Sequence, residues 1–129
     1  MQLFIGAFGQ NKLENVRLKL NLTDCKFADG ANCSENEFEE ALIVNHVHLY
    51  IRNHLQQLKT DEGQACFFRC LSEQENKILI GDEIGCGIIP LDSFEREYRE
   101  IYGRMMCRIA QNAKRVTRLV CGLHQVIKE

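Results

Sequence analysis

The stretch "KILIGDEIGCGIIPLDSFEREYREIYGRM", residues 77–105, decides the fold. It opens on three apolar residues, Ile78 to Ile80, of the kind that fill a buried strand, and turns acidic at Asp82 and Glu83. Gly85 and Gly87 follow, then Pro90, the one proline of the chain. From Asp92 the period changes. Phe94, Tyr98, Ile101 and Met105 step by four, three and four, which predicts a helix with those four side chains inward. Asp92 or Ser93 can cap its start, and Glu95–Arg99 and Glu100–Arg104 are favourable i,i+4 pairs. The segment reads as a strand, a turn and a long helix.

The same alternation extends in both directions. "MQLFIGAF" is a short buried strand closed by Gly6, and "QNKLENVRLKLNL" places Leu13, Val16 and Leu20 at helical spacing. Residues 21–40 are polar and rich in Asn, Asp and Gly, and read as loop. "ALIVNHVHLYIRNHLQQL" begins as strand and ends as helix, with Leu49, Ile51 or Arg52, and Leu55 inward. "DEGQACFFRCLSEQEN" is a further helix; "VTRLVCGL" and "QVIK" are strands. Strands that alternate with helices predict an α/β fold in three layers, a mostly parallel sheet flanked by helices. A length of 129 residues suits one domain, 1–129.

Composition sets further bounds. Hydrophobic residues make up 45% and charged residues 26%, an ordinary soluble balance. A net charge of −2 gives no argument for nucleic acid or for an anionic membrane surface. No apolar run approaches a membrane span, and no signal peptide opens the chain, so the expected location is cytoplasmic. Seven scattered cysteines fit a reducing compartment, where they serve as small core residues. Cys66 and Cys70 would share a helix face, and His46 and His48 lie two apart; neither pair makes a metal site, and no metal ligand is assigned.

In parallel sheets chemistry gathers at the carboxyl ends of strands. Two features fall there. The first is the turn Gly6 to Lys12. A phosphate loop reads Gly, four residues, Gly, Lys, then Ser or Thr; its N–H groups cradle phosphate, its lysine meets the terminal phosphates, and its hydroxyl holds magnesium. Here Gly6 and Lys12 hold their places, with Gly9 between them. Asn11 stands for the second glycine and tolerates positive φ. Leu13 replaces the hydroxyl. A plain strand–turn–helix junction with an exposed lysine is the alternative. The second feature is the pair Asp82 and Glu83 at the next strand end, the candidate catalytic acids.

Residues 81–128 resemble the C-terminal part of the bifunctional adenosylcobinamide kinase/adenosylcobinamide-phosphate guanylyltransferase family. The matching positions are Asp82, Glu83, Ile84, Gly85, Gly87, Ile88, Ile89 and Pro90. They continue with Tyr98, Arg99, Gly103, Arg104, Ala110, Val116, Gly122, Leu123 and Lys128. "LIVNHVHLYIRN" is similar to a family segment with Asn45 where that has aspartate, and "FIGAFGQNKL" falls on the family's phosphate loop. The resemblance implies a P-loop NTPase-like fold and nucleotide contacts from Gly6, Gly9, Asn11 and Lys12. It also implies ATP or GTP as ligand, a corrinoid partner, and a homo-oligomer, a trimer. Magnesium is weakly implied, with Asp82 the one carboxylate able to replace the missing metal groups. The family's histidine-bearing guanylylation segment has no counterpart in residues 21–40, which hold neither histidine nor arginine. Three readings follow: a short kinase, a degenerate member that binds without turnover, and a catalytically inactive interaction or regulatory module.

Overall fold

The computed structural model describes residues 1–84 and 90–129. The expected turn at Gly85 and Gly87 lies outside them. In chain order the elements are β1 (Gln2–Gly6), α1 (Lys12–Leu20), β2 (Phe27–Asp29), α2 (Glu35–Glu40), β3 (Ile43–Asn45), α3 (Val47–Asn53) and a short α4 (Leu55–Leu58). They continue with α5 (Asp61–Glu73), β4 (Ile78–Asp82), α6 (Ser93–Asn112), β5 (Arg115–Val120) and β6 (Leu123–Lys128). Among the described residues the strands form one sheet in the order β2-β3-β4-β1-β5-β6. All neighbours pair in parallel except β5 and β6, which form an antiparallel hairpin. This is the α/β architecture expected from the alternating pattern, in the P-loop NTPase-like form that the resemblance implies.

Side-chain alternation divides the sheet into two buried faces. Phe4, Ile43, Ile78 and Ile80 turn toward α1, where Val16 is fully buried and Leu13 and Leu20 pack at the margin. Leu3, Val44, Leu79 and Val116 turn the other way, toward α3 to α6. The sheet is therefore the middle of three layers.

Two expectations need correction. Residues 21–40 are not all loop, because they contain β2 and α2. A capping box starts α2: the Ser34 hydroxyl accepts the Glu37 N–H while Glu37 reaches back to the Ser34 N–H. Phe38 then drops into the core at 1% exposure. The second correction concerns α6. Its buried spine is Tyr98, Tyr102, Met105 and Ile109, whereas Phe94 is 37% exposed and Ile101 only partly buried. The period is the expected one, but the first turn overhangs the core, and Phe94 packs under the Arg52 guanidinium instead, 5.2 Å from the ring centre. Glu95 likewise pairs with Arg52, while the Glu100–Arg104 pair forms at 2.5 Å and Asp92 caps the helix.

Candidate functional site

The turn after β1 is built from residues that accept unusual backbone. A Cβ on Gly6 would lie 2.9 Å from the Leu119 carbonyl oxygen and 3.3 Å from the Lys12 stem, so glycine alone lets the chain leave β1 beneath β5. Asn11 adopts the left-handed conformation at φ 53°, as expected of an asparagine standing where a glycine is wanted. Gly9 is also left-handed, at φ 79°. Asn11 precedes α1 without a side-chain cap, which leaves the first N–H groups of that helix facing the turn. The Gln10 side chain accepts the Cys121 N–H at 2.6 Å and ties the turn to the β5–β6 hairpin.

Lys12 is not the exposed lysine of the plain-junction alternative, since only 8% of it meets solvent. Its ammonium donates to the Ala7 carbonyl at 2.9 Å and lies 2.5 Å from Asp82 Oδ1. The sheet makes this meeting possible: β1 and β4 are neighbours, and Gly6 stands opposite Asp82 in the register. His48 holds Asp82 from its other side. Its Nδ1 accepts the Asp82 N–H at 3.2 Å, so the ring proton sits on Nε2, 3.5 Å from Asp82 Oδ2. Burial first, and then the His46 and Lys12 charges, hold the His48 imidazole below its ordinary value against the pull of Asp82. Below this group α6 contributes two phenols: Tyr98 donates to the His48 carbonyl at 2.8 Å and Tyr102 to the Asp82 carbonyl at 2.6 Å. Burial pushes the Tyr98 hydroxyl up to about 12, so it remains a donor at neutral pH.

Glu83 sits differently. Its N–H donates to the Gly6 carbonyl at 3.0 Å, and its carboxylate takes both arms of Arg118 from β5, at 2.7 and 3.1 Å. With Ile5, Asp82, Tyr102, Met106 and Arg118 it lines a cavity of about 300 Å³ on the α6 side of the strand ends. The structure thus brings Gly6, Lys12, Asp82 and Glu83 to one strand-end cluster, and leaves Gly9 on the exposed turn. Two strands away, His46 is left-handed at φ 52° and its Nδ1 meets Asp29 Oδ1 at 2.8 Å. Burial would raise the Asp29 carboxyl, but the Ala31 N–H and the His46 ring outweigh it and hold the group below its ordinary value.

A magnesium ion fits this donor set poorly. Position 13 is a leucine, Asn45 is neutral, and the Asp82 carboxylate is already engaged by Lys12 and His48. Among the described residues no three His, Cys, Asp or Glu side chains converge on a metal-sized point. Three contributors escaped the sequence reading: Arg118, Tyr102 and the packing role of His48. Arg118 reaches Glu83 across the sheet, while Tyr102 and His48 reach Asp82 from α6 and α3, so only the assembled packing of strands and helices could have revealed them.

The profile of the family described as cobinamide kinase / cobinamide phosphate guanyltransferase matches residues 22–127. The match begins after the Gly6–Lys12 turn, so the likeness of that turn to a phosphate loop rests on its own residues. The bifunctional adenosylcobalamin biosynthesis protein CobP of Pseudomonas aeruginosa is 31% identical over 99 residues, which is 74% of this chain and 57% of that protein. The bifunctional adenosylcobalamin biosynthesis protein CobU of Salmonella typhimurium is 34% identical over 68 residues, 53% of this chain and 38% of that protein. The chain spans about half the length, or less, of the curated relatives it matches.

Proposed function

Because this chain belongs to the cobinamide kinase / cobinamide phosphate guanyltransferase family, we propose that it is a nucleotide-binding protein of cobalamin biosynthesis that holds ATP or GTP phosphates at the Gly6–Lys12 turn. The observation that carries the reading is the Lys12–Asp82 pair, 2.5 Å long and almost buried, at the mouth of a left-handed turn. An ammonium kept there by a carboxylate is a cation in reserve. A phosphate can replace Asp82 as its partner, and the uncapped start of α1 adds N–H donors and the positive end of its dipole. Gly6, Gly9 and Asn11 give the phosphate its close approach to backbone. Asp82, released from Lys12, and Glu83 face the neighbouring cavity, where a corrinoid side chain would present its reacting group.

Turnover is expected to be weak or nil. Phosphoryl transfer depends on a metal clamp over the reacting phosphates, and Leu13 and Asn45 remove the groups that would build it. Losses of that kind hurt the transition state more than ground-state binding. No guanylyl-histidine intermediate is expected either, because residues 21–40 carry no histidine; a denaturation-stable label from GTP mapped to a histidine would overturn that half of the reading. The homo-oligomer implied by the resemblance would find apolar surface on β6, where Leu123, Val126 and Ile127 are exposed. Sedimentation reads its size. Six free thiols among the described residues accord with a cytoplasmic location.

The test is thermal protection and isothermal titration with ATP and GTP. Wild type should bind both without magnesium. Lys12→Ala should lose the nucleotide-induced melting shift and roughly ten- to a hundredfold in affinity, the size of one charge-assisted contact. Unchanged binding in Lys12→Ala would put the nucleotide elsewhere.

A further inference from the structure

A cavity among the helices has no part in the strand-end site. It measures about 460 Å³ and opens between α2, the α3–α4 turn and the first half of α5. None of its lining residues belongs to the Lys12–Asp82–Glu83 group. Its volume is that of a small-molecule pocket.

One wall is aromatic. Phe38 stacks on Tyr50 with ring centres 4.1 Å apart, and Tyr50 stacks on His54 at 4.2 Å, so the three rings form a continuous pile. Phe67 closes the deep side, tilted against Phe38 at 5.4 Å. His54 donates Nδ1–H to the Tyr50 carbonyl at 2.9 Å, which leaves Nε2 as an acceptor. The lining is mostly apolar; Glu35, Glu39 and Glu62 contribute exposed carboxylates, and among the described residues no lysine or arginine lines the cavity. Lys77, under Phe38, does not enter it; that ammonium is fully enclosed and donates to the Phe38, Glu39 and Ala41 carbonyls. The Cys70 thiol donates to Glu39 at 3.2 Å, and burial followed by that carboxylate pushes the thiol up to about 12. Burial, then the Glu35 charge, pushes the Tyr50 phenol far above its usual range.

Aromatic faces beside three carboxylates, with no lysine or arginine in the described lining, are complementary to a flat organic cation rather than to a phosphate or a neutral ring. We propose that this cavity is a second ligand site that takes an amidinium- or guanidinium-class cation, its flat head against the His54–Tyr50 pile and its N–H groups on Glu39 and Glu62. This site stands whether or not the nucleotide reading does.

Benzamidine is the probe, with neutral benzamide of the same shape as control. Two readouts apply to the intact chain: titration calorimetry, and the alkylation rates of Cys66 and Cys70, which line the cavity, against Cys107 and Cys121, which do not. Benzamidine at millimolar concentration should slow alkylation of Cys66 and Cys70 and leave Cys107 and Cys121 unchanged, and benzamide should do neither. Glu39→Gln combined with Glu62→Gln should weaken benzamidine roughly tenfold, as expected for two partly exposed charge contacts. Lys12→Ala should leave it unaffected. Equal protection by benzamide would make the cavity a merely apolar groove and overturn the proposal. Benzamidine affinity undiminished in the double glutamine variant, or no protection at millimolar benzamidine, would also overturn it.

Discussion

Among the described residues two lysines are buried, and they are opposites. Lys77 is fully enclosed and spends its ammonium on three backbone carbonyls at the end of α2, those of Phe38, Glu39 and Ala41. Lys12 keeps one carbonyl, that of Ala7, and takes its charge partner from Asp82. Lys77 acts as a helix C-cap: its partners are neutral, fixed and saturating, so nothing outside can compete for them. Lys12 has an ionic partner at a turn that opens to solvent at Ala7 to Gly9, so an anion can. Burial of a lysine therefore does not decide its role; the exchangeability of its partners does.

The sharpest way to break this contrast is Lys77→Met. The methionine fills much of the same volume but orphans the buried Phe38 and Ala41 carbonyls, while that of Glu39 keeps the Gln74 side-chain amide, and unfolding in urea should show a loss of about 3 kcal/mol. Nucleotide affinity, measured on the folded protein, should be unchanged. A stable Lys77→Met protein would mean that those carbonyls have other partners.

Gly6→Ala probes the other region with a smaller expected loss. The new methyl would meet the Leu119 carbonyl oxygen at 2.9 Å, backbone that moves only with β5, and should cost about 1–3 kcal/mol. The same variant should weaken nucleotide binding, because it crowds the Lys12 stem. Stability lost without any loss of binding would separate the turn from the ligand.

The smallest effect concerns pH. His48 is held below its ordinary value in the folded chain, so the unfolded chain binds the proton more readily. The sign is that stability falls as pH drops below about 6.5, the ordinary histidine value, toward the lower folded value. His48→Gln should flatten this part of the profile, seen as melting temperature against pH. A profile equally steep in the variant would assign the effect elsewhere.

Much of the fold could be read from periodicity. The α6 helix and the strands of the parallel sheet declared themselves because their apolar runs are long or regularly spaced. Residues 21–40 did not, because β2 is only three residues long and its partner β3 lies beyond α2. The Ser34–Glu37 capping box ahead of Phe38 was a legible signal there. In α6 the period was legible but the point where the core begins was not, so Phe94 was placed inside. At the site, Gly6, Asn11, Lys12, Asp82 and Glu83 could be named from local pattern. Their pairing could not, because Lys12 and Asp82 are 70 positions apart and meet only through the order β4-β1-β5. Separation in sequence likewise hid Arg118, 35 positions from Glu83, and gave no hint that Asp82 is bound to Lys12 rather than open to metal.

The central claim is that Lys12 is a phosphate-binding cation held in reserve by Asp82, and one titration addresses it directly. ATP is titrated without magnesium into wild type, Asp82→Asn and Lys12→Ala. Removing the competing carboxylate should tighten binding in Asp82→Asn, by up to about tenfold, while Lys12→Ala loses it. The predicted order of affinity is Asp82→Asn, then wild type, then Lys12→Ala. An Asp82→Asn protein that folds but binds ATP no better than wild type, with Lys12→Ala binding as well as either, would contradict the account.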